Sequence, residues 1–524
     1  MRKKALRVRR SLLEIQHDYE SGNKKPLEEL MRAWKGIKEL PYDDPRSFFK
    51  LGGFHGEPFR GPGTTDSAYW GGYCNHGNVL FPTWHRVYLL KLEEALQSIQ
   101  GCEDVMLPYW DETDAYTLAN GIPWALTAET FELDGQTIPN PLRSFVFPVA
   151  ITDKVAGDQS LYTKPKGYET VRYPLSGLVG TEEARQQTEA HNRQYPDYQA
   201  NVGLLNGNVM AWLNNKTYTG SDGTVSPANV HEKFKNCLNA PNYTVFSNTT
   251  SAGEWNSAHS GYSVVPLESP HNDIHLAVGG FDVPGQSDLS TIADANGDMG
   301  ENDTAGLDPI FYFHHCNIDR VFWLWQQRHQ ATDALELIPF YPGTNSSDSQ
   351  GPTPGIPPNT ILDMQTPLYP FTREEDGKQR VYVSADCINI ERQLGFTYSK
   401  GSLEEIPGPT KLAAEPSLRK VHVSGISRAP IQGSFVIEAY ANINGERTLI
   451  GYESVLSRWN VMRCVNCQTH LEVKASFPLL AAAKEAVTDA AQVEVVVRKR
   501  RQGGPVLFAE AAARAPQQPR VEIR

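Results

Sequence analysis

The sequence predicts a mainly α-helical domain with long loops, followed by a small all-β, sandwich-like domain at its C-terminal end. Through the first 400 residues, apolar residues recur at helical spacing between Gly- and Pro-rich loops. After residue 418, β-branched residues alternate or run together in short segments such as VHVSGI and VEVVVRK, separated by turn residues. A chain of 524 residues is long enough for each domain to bury its own core.

The composition indicates a globular protein and argues against two kinds of partner. Hydrophobic residues make up 40% and charged residues 21% of the chain, as in folded domains. The net charge of −12 argues against nucleic acid, because phosphate contacts need clustered Lys and Arg. The chain contains no run of about 18 apolar residues, so no membrane-spanning helix is predicted. A homo-oligomer is left open.

The N-terminal residues and the cysteines both predict an intracellular protein. The opening MRKKALRVRRSLLEIQ is basic but lacks the apolar segment and cleavage site of a secretory signal. The seven cysteines are few and odd in number, which fits special uses for single thiols rather than a disulfide framework.

The elements of the first domain follow from spacing and composition. Residues 9 to 38 carry helical spacing, and the Gly-rich, aromatic residues 52 to 84 predict an ordered loop. A second helix is predicted from His85, with Gly101 as its C-terminal stop. Residues 113 to 250 are mixed and predict long loops with a few helices.

Two more helices are predicted before the loop-rich residues 339 to 370. A short helix is expected after Ser269-Pro270. A longer one begins at Asp308, which can cap free N–H groups, with a proline at the first helical position.

This last helix is densely apolar yet carries two histidines and an Asp-Arg pair. Buried polar groups need partners. His314 and His315 are therefore either hydrogen-bonded core residues or ligands. Asp319 is expected to support the histidines one turn earlier or to pair with Arg320.

Six of the fourteen histidines fall into two sets of three: His55, His76 and His85; His271, His275 and His315. His271 and His275 are four residues apart, so they share one helix face and can hold one ion between them. Three neutral imidazoles per ion suit copper or zinc. The HNDIH segment is similar to the zinc-protease HExxH motif, but Asn272 stands where that motif has its general base.

Four segments together resemble the type-3 copper proteins, the family of tyrosinases, catechol oxidases and haemocyanins: GGFHG, CNHGNVLFPTWHR, HNDIH and DPIFYFHHCNIDR. The resemblance covers roughly residues 5 to 400. It implies a tyrosinase-like four-helix bundle holding two copper ions, the first by the set from His55 to His85 and the second by the set from His271 to His315. In the family pattern the second histidine of the HH pair is the ligand, so His315 is assigned and not His314. On a helix, His314 points about 100° away from its neighbour.

The resemblance implies a tyrosinase-type phenol oxidase, with O₂ and phenolic small molecules as its partners. Such an enzyme hydroxylates monophenols at the ortho position and oxidises o-diphenols to o-quinones, as in melanin or pigment biosynthesis. In the family, an Asn after the first ligand of the second copper and a nearby Glu hold the water that takes the phenol proton. Asn272 and Glu268 match these positions, which favours true tyrosinase activity. The alternative for Glu268 is charge stabilisation at a helix N-terminus.

Three other functions remain alternatives at this point. The chain could be a catechol or o-aminophenol oxidase without monophenolase activity, a haemocyanin-like O₂ carrier, or a zinc hydrolase. Asn302, thirteen residues before His315, stands where plant catechol oxidases carry a shielding Phe, which predicts a more open and polar substrate gate. Asp298 replaces the His of the common Gly-His-Met segment. Both departures leave the substrate preference open.

Cys74 lies two residues before His76, a spacing at which fungal-type tyrosinases join the two side chains by a thioether bond. The resemblance therefore implies a Cys74–His76 thioether. The alternative is an unmodified buried thiol.

The C-terminal part is predicted to be a lid. Residues 1–400 are assigned to the catalytic domain, the Pro-containing residues 401–418 to a linker and residues 419–524 to the β-domain, with a helix expected at Ala481 to Ala491. In long tyrosinases and haemocyanin units a similar domain covers the copper site and inserts one side chain as a placeholder. Leu456 falls where that side chain is expected.

Three neighbours compete with Leu456 for the placeholder role: Val455, Tyr452 and Trp459. Each of these residues could instead be an ordinary core residue of the β-domain.

Cys464 and Cys467 form a CxxC without the second pair that zinc needs. The resemblance implies copper loading for them, and a disulfide is the alternative.

Overall fold

The computed structural model describes residues 6–56, 69, 72–152, 163–177, 182–215, 218–219, 225–226, 229–286, 296–348, 350–404, 418–428, 431, 433–458, 472–500, 506–507 and 519–524. Within these residues the helices are α1 Leu12–Glu20, α2 Lys25–Glu39, α3 Phe48–Gly52, α4 Phe81–Gln97, α5 Ala115–Asn120, α6 Glu182–Asn192, α7 Tyr198–Asn214, α8 Val230–Cys237, α9 Tyr243–Ser247, α10 Thr249–Ala258, α11 Glu268–Gly279, α12 Ile310–Arg328 and α13 Ala481–Ala486.

The strands are β1 Arg7–Arg9, β2 Thr130–Leu133, β3 Gln136–Pro139, β4 Ile151–Thr152, β5 Thr163–Lys164, β6 Tyr218–Thr219, β7 Val225–Ser226, β8 Pro367–Glu375, β9 Lys378–Val383, β10 Phe396–Tyr398, β11 Arg419–Ser427, β12 Phe435–Ile443, β13 Glu446–Val455, β14 Glu472–Leu479, β15 Val493–Arg498, β16 Val506–Leu507 and β17 Arg520–Ile523. No helix in the described ranges is both long and apolar enough to cross a membrane.

Four helices form the centre of the first domain. Helices α4 and α12 pack on each other, α2 packs on α4, and α11 packs on α12. Every residue of α11 is buried, and α12 is buried over all but three residues near its C-terminal end. Helices that are covered on all sides lie in the middle of a core rather than on a surface. The mainly helical core predicted for the first domain is thus confirmed.

Helix α12 begins with a buried ion pair. The Asp308 carboxylate accepts from the Ile310 N–H at 3.1 Å and from Nη2 of Arg172 at 2.7 Å. The side chain thus caps the helix and neutralises a buried guanidinium at the same time.

Helices α4 and α11 begin earlier than the sequence pattern predicts. Helix α4 starts at Phe81, four residues before His85, because the Asn78 side chain accepts from the Leu80 N–H at 2.9 Å and Pro82 fits the first turn. Helix α11 starts at Glu268, so that Pro270 lies in its first turn. The predicted starts at His85 and after Pro270 are therefore wrong, since a proline within the first turn is compatible with a helix.

The C-terminal domain is built from two antiparallel sheets. One has the strand order β14-β11-β17 and the other β13-β12-β15-β16. Apolar side chains from both sheets share one core, which is distinct from the core of the first domain. Strand β13 lies at a sheet edge and packs against α11. Helix α13 ends at Ala486, so the predicted helix to Ala491 is too long.

The core of the first domain reaches from Leu12 to Ile388 and that of the second begins at Val421. A few β-domain side chains, Leu456 among them, join the first core. Residues 405–417, which make up most of the predicted linker, lie outside the described residues.

Candidate metal centre

Six histidines from two loops and three helices meet in the first domain. His55 follows α3, His76 lies on the loop before α4, His85 lies on α4, His271 and His275 lie on α11, and His315 lies on α12. All six side chains are at most 2% exposed. Within each predicted set, the candidate ligand nitrogens lie within 4.8 Å of one another.

The second set points three nitrogens at one position. Nε2 of His315 lies 3.2 Å from Nε2 of His271 and 3.3 Å from Nε2 of His275. Two of the three other ring nitrogens are engaged: Nδ1 of His271 faces Oδ1 of Asn272 at 3.0 Å, and Nδ1 of His275 faces the Met299 carbonyl at 2.8 Å. Since amide and carbonyl oxygens accept, both Nδ1 atoms carry the proton and both Nε2 atoms present lone pairs.

The first set is arranged in the same way. Nδ1 of His55 donates to the Asn302 carbonyl at 3.0 Å, and Nδ1 of His85 donates to the Phe81 carbonyl at 2.8 Å, one turn earlier on α4. Within the described residues, Nε2 of both rings and both nitrogens of His76 are buried without a hydrogen-bond partner. Such orphaned buried nitrogens are rare in folded proteins and call for an explanation.

The two sets share one compartment. The rings of His85 and His315 are stacked with centroids 4.5 Å apart, and those of His76 and His271 are 5.6 Å apart. One ligand small enough to contact both sets can therefore lie between them.

Burial keeps the rings neutral. It lowers the pKa of His55 to about 3 and that of the other five well below the usual value, with neighbouring histidines adding to the effect. Neutral imidazoles with converging lone pairs fit copper or zinc, because a cation removes the repulsion between the lone pairs. The residues present therefore fit two sites of three imidazoles each.

His314 has a partner that the sequence analysis missed. Its Nδ1 lies 2.5 Å from Oε1 of Glu112, whose other oxygen accepts from Asn317 at 3.1 Å. Although His314 lies near the second set, this buried contact turns one of its nitrogens away. A buried histidine needs an acceptor, but nothing in the sequence shows which carboxylate provides it.

Asn272 and Glu268 lie at the predicted helix, α11. Besides accepting from His271, the Asn272 amide donates from Nδ2 to the Ser454 carbonyl of the C-terminal domain at 3.2 Å. Glu268 accepts from the N–H of Gly77 at 2.8 Å and from the N–H and hydroxyl of Thr249 at 2.9 and 3.0 Å. Burial raises the pKa of Glu268, and these hydrogen bonds oppose the shift.

Cys74 and Asn302 lie beside the first set. Cys74 is buried, and its sulfur accepts from Nδ2 of Asn302 at 3.5 Å. The Asn302 side chain also contacts Oε1 of Gln350 at 3.4 Å and is 1% exposed. In this structure Asn302 therefore lies beneath the C-terminal domain rather than at an open entrance, and its role as a gate stays a prediction.

A covering segment, residues 454–458, crosses both sets of histidines. It bonds to Asn272 beside the second set, and its Ser457 carbonyl accepts from the Asn302 N–H at 3.2 Å beside the first set. Between these contacts, Leu456 is buried in the catalytic core, whereas Val455 is buried in the β-domain core.

Two further candidates for the placeholder and the two cysteines of the CxxC remain to be placed. Tyr452 also packs on the catalytic core, where its ring meets Trp212 edge-on at 5.8 Å. Trp459, Cys464 and Cys467 lie outside the described residues.

Of the two roles predicted for Asp319, pairing with Arg320 is wrong. Asp319 contacts Nε of Arg86 at 2.5 Å and Nη1 of Arg9 at 3.6 Å, because both guanidiniums are buried against α12. Arg320 instead pairs with Glu404 at 3.0 Å.

Asp298, which replaces the family histidine, is paired with the buried Lys164 at 2.6 Å. Its other oxygen accepts from the Tyr168 hydroxyl at 2.7 Å and from the Val171 N–H at 2.8 Å. The substituted position therefore ties the loop before α12 to residues 164–171.

Fold and site together define a helical protein with two buried sets of three histidines, each of which fits a metal ion. Residues 45–328 match a family model described as the common central domain of tyrosinase. Tyrosinase HcTyr2 of Hahella sp. (strain CCB-MM4) is 58% identical over 491 residues, 90% of this chain and 88% of that protein. A tyrosinase of Aspergillus oryzae is 46% identical over 484 residues, which are 87% of this chain and 87% of that protein.

A solved structure of a tyrosinase from Burkholderia thailandensis at low pH superposes with a TM-score of 0.85 at 54% identity, over 99% of this chain and 100% of that one. The chain belongs to the tyrosinase family of type-3 copper proteins. It is a copper-dependent phenol oxidoreductase.

Proposed function

We propose that the protein is a true tyrosinase with two copper ions, and that the form described here is latent. It would hydroxylate monophenols at the ortho position and oxidise o-diphenols to o-quinones. The observation that carries the proposal is the pairing of two buried three-imidazole sets in one compartment beneath a segment of the C-terminal domain.

Each set would hold one copper ion, His55, His76 and His85 the first and His271, His275 and His315 the second. Copper bound there supplies O₂ binding and two-electron redox chemistry. The carbonyls of Asn302, Phe81 and Met299 and the Asn272 amide fix the rings, since an acceptor on one nitrogen orients the other.

Asn272 and Glu268 would hold the water that takes the phenol proton. Oδ1 of Asn272 is used by His271, so Nδ2 is the group left to donate to that water. Glu268 uses three of about four acceptor positions of a carboxylate, which leaves one for the water. A carboxylate whose pKa is raised by burial is a stronger base than an exposed one.

The covering segment would block this chemistry in two ways. The six histidines are at most 2% exposed, so a phenol cannot reach them while the segment is in place. The Ser454 carbonyl also accepts from one N–H of Nδ2 of Asn272 and so competes with the water that this amide group would hold. Leu456 would act as the placeholder, because its side chain enters the catalytic core between the two contacts.

The Cys74–His76 thioether belongs to the same proposal. Cys74 is buried two residues from His76, and neither nitrogen of that ring has a hydrogen bond to another described residue. A covalent link would fix the ring instead. Mass spectrometry of the peptide that contains both residues should show a deficit of two hydrogens, and an unlinked peptide would reject the bond.

The function is tested by copper analysis combined with oxygen uptake. Uptake is measured with 4-methylphenol and with 4-methylcatechol, on the intact chain and after nicking between residues 405 and 417. We expect two copper ions per chain, uptake with both substrates and a large increase on nicking. Uptake with the diphenol alone would indicate a catechol oxidase, and reversible O₂ binding without turnover a carrier.

A further inference from the structure

The covering segment is held largely through its backbone. The Leu456 carbonyl accepts from Nε2 of Gln350 at 3.2 Å, and the Ser457 carbonyl accepts from the Asn302 N–H at 3.2 Å. Both donors belong to the catalytic domain. Because every peptide carries such carbonyls, these contacts recognise an extended chain rather than a particular side chain.

One side chain of the segment makes a buried charged contact with the catalytic domain. Nε of Arg458 lies 2.9 Å from Oδ1 of Asp303, and both side chains are at most 3% exposed. Charge-assisted hydrogen bonds of this kind are stronger and more selective than neutral ones.

Leu456 lies on the covering segment between its contact with Asn272 and its contact with Asn302. Leu456 follows the contact at Asn272, beside His271, and precedes the contact at Asn302, whose own carbonyl binds His55. Because these two contacts flank Leu456 and its side chain packs in the core of the first domain, the position lies between partners of the two sets. The segment therefore occupies the groove as an extended peptide would.

We propose that the uncovered groove takes peptides in which a tyrosine is followed two residues later by Arg or Lys. The tyrosine side chain would replace that of Leu456. Gln350 and the Asn302 N–H would hold the carbonyls of the tyrosine and of the next residue, and Asp303 would pair with the cation that replaces Arg458.

This inference rests on the proposed function, because the tyrosine ring is the monophenol that is oxidised. One O₂ converts the phenol to the o-quinone: one oxygen atom enters the ring at the ortho carbon and the other leaves as water with two hydrogens of the substrate. No further reductant is needed.

The test compares three substrates with the copper-loaded full chain after nicking between residues 405 and 417. They are acetyl-Tyr-Ser-Arg-amide, acetyl-Tyr-Ser-Glu-amide and 4-methylphenol. At low salt, kcat/KM should be about tenfold higher for the Arg peptide than for the Glu peptide, as expected for one desolvated charged contact. Equal values for the two peptides would overturn the inference.

Two variants locate the effect. Asp303→Asn should bring the ratio between the Arg and Glu peptides towards one, and Gln350→Ala should lower kcat/KM for both peptides relative to 4-methylphenol. Asp376→Asn and Gln379→Ala, exposed near the turn between β8 and β9, are matched controls that should keep the original ratios. An Asp303→Asn protein that keeps the full preference for Arg would contradict the assigned contact.

The result on the unmodified chain decides the matter even if a variant does not fold. Oxidation of 4-methylphenol without preference between the peptides would contradict this inference alone. Failure to oxidise 4-methylphenol at all would instead contradict the proposed function.

Discussion

At the scale of single residues, neighbours in sequence have different partners. His314 and His315 are adjacent on α12, yet one contacts Glu112 and the other points Nε2 at His271 and His275. Asn272 likewise differs from its neighbours on α11, since it bonds both to a histidine of the site and to the covering segment. The role of each polar residue therefore depends on the direction of its side chain and on the group that it contacts there.

The adjacent histidines give a matched pair of variants. His315→Ala should lose one of the two proposed copper ions, because three imidazoles are needed to hold the second. His314→Ala should keep both ions and lower only the stability, since it leaves Glu112 buried with fewer partners. Copper analysis of the purified variants, with urea unfolding of each, checks this. Loss of copper from His314→Ala alone would reverse the assignment.

Asn272 and Glu268 should affect the two phenol reactions differently. Asn272→Leu or Glu268→Leu should lower kcat for a monophenol about 100-fold and should lower kcat for a diphenol by a smaller factor. Only the monophenol needs a general base before it is oxidised. Oxygen uptake by nicked protein measures both. Copper content is determined for each variant, because both side chains also hold the site together, and equal losses for the two substrates would reject the proposed role.

At the scale of elements, the start of α12 combines a helix cap with a buried ion pair. Its first turn is fixed by Asp308, which also binds Arg172 from a distant loop. The Arg172 guanidinium further donates to the Leu126 carbonyl at 2.7 Å and the Leu142 carbonyl at 3.0 Å. One carboxylate thus joins the helix that carries His315 to two loops.

Asp308→Ala should therefore lower the free energy of unfolding by about 3–5 kcal/mol, since it leaves a buried guanidinium without its carboxylate. Asp308→Asn keeps an acceptor for the cap and should cost less. The midpoint of urea unfolding of the copper-free protein measures both. Asp363→Ala, which removes a similar local acceptor in an exposed loop, is the control and should have a small effect.

At the scale of the whole molecule, the β-domain is docked by buried cations that bind backbone carbonyls. Nζ of Lys420 on β11 donates to the carbonyls of Asn256, His259 and Tyr262 at 2.6, 2.9 and 2.6 Å. Nη2 of Arg498 on β15 donates to the Asp282 carbonyl at 3.0 Å. Such contacts are lost together when the domain leaves.

Lys420→Ala should raise phenol turnover of the intact chain several-fold, because hydrogen bonds to a charged donor contribute about 1.5–3 kcal/mol each to docking. Lys474→Ala is the matched control: its ammonium pairs with Glu254 at 3.1 Å on the surface and should contribute little. Oxygen uptake before and after nicking tests the difference. Unchanged turnover of the intact Lys420 variant would show that this residue does not hold the lid closed.

Much of the molecule could be predicted from local pattern. Apolar spacing predicted helices in the region of α1, α2, α4 and α12 and the strands of the β-domain, since burial of one face imposes a period on the sequence. The two histidine sets were also predicted from spacing and resemblance. Helix starts were less accurate, because a proline in the first turn and the capping side chain of Asn78 shift the boundary without changing the apolar period.

By itself, the sequence predicted the longer helices and the C-terminal strands in their approximate places, the family and the two sets of three histidines, all of which depend on residues near one another in the chain or on a recurring motif. Only the tertiary structure decided that Glu112 binds His314, that Asp319 binds Arg86 and that the covering segment spans both histidine sets. These contacts join residues far apart in the chain. The physical reason is that a buried polar group must have a hydrogen-bonding partner. Many groups in the chain have the required chemistry, and only the packing of the fold decides which one lies close enough.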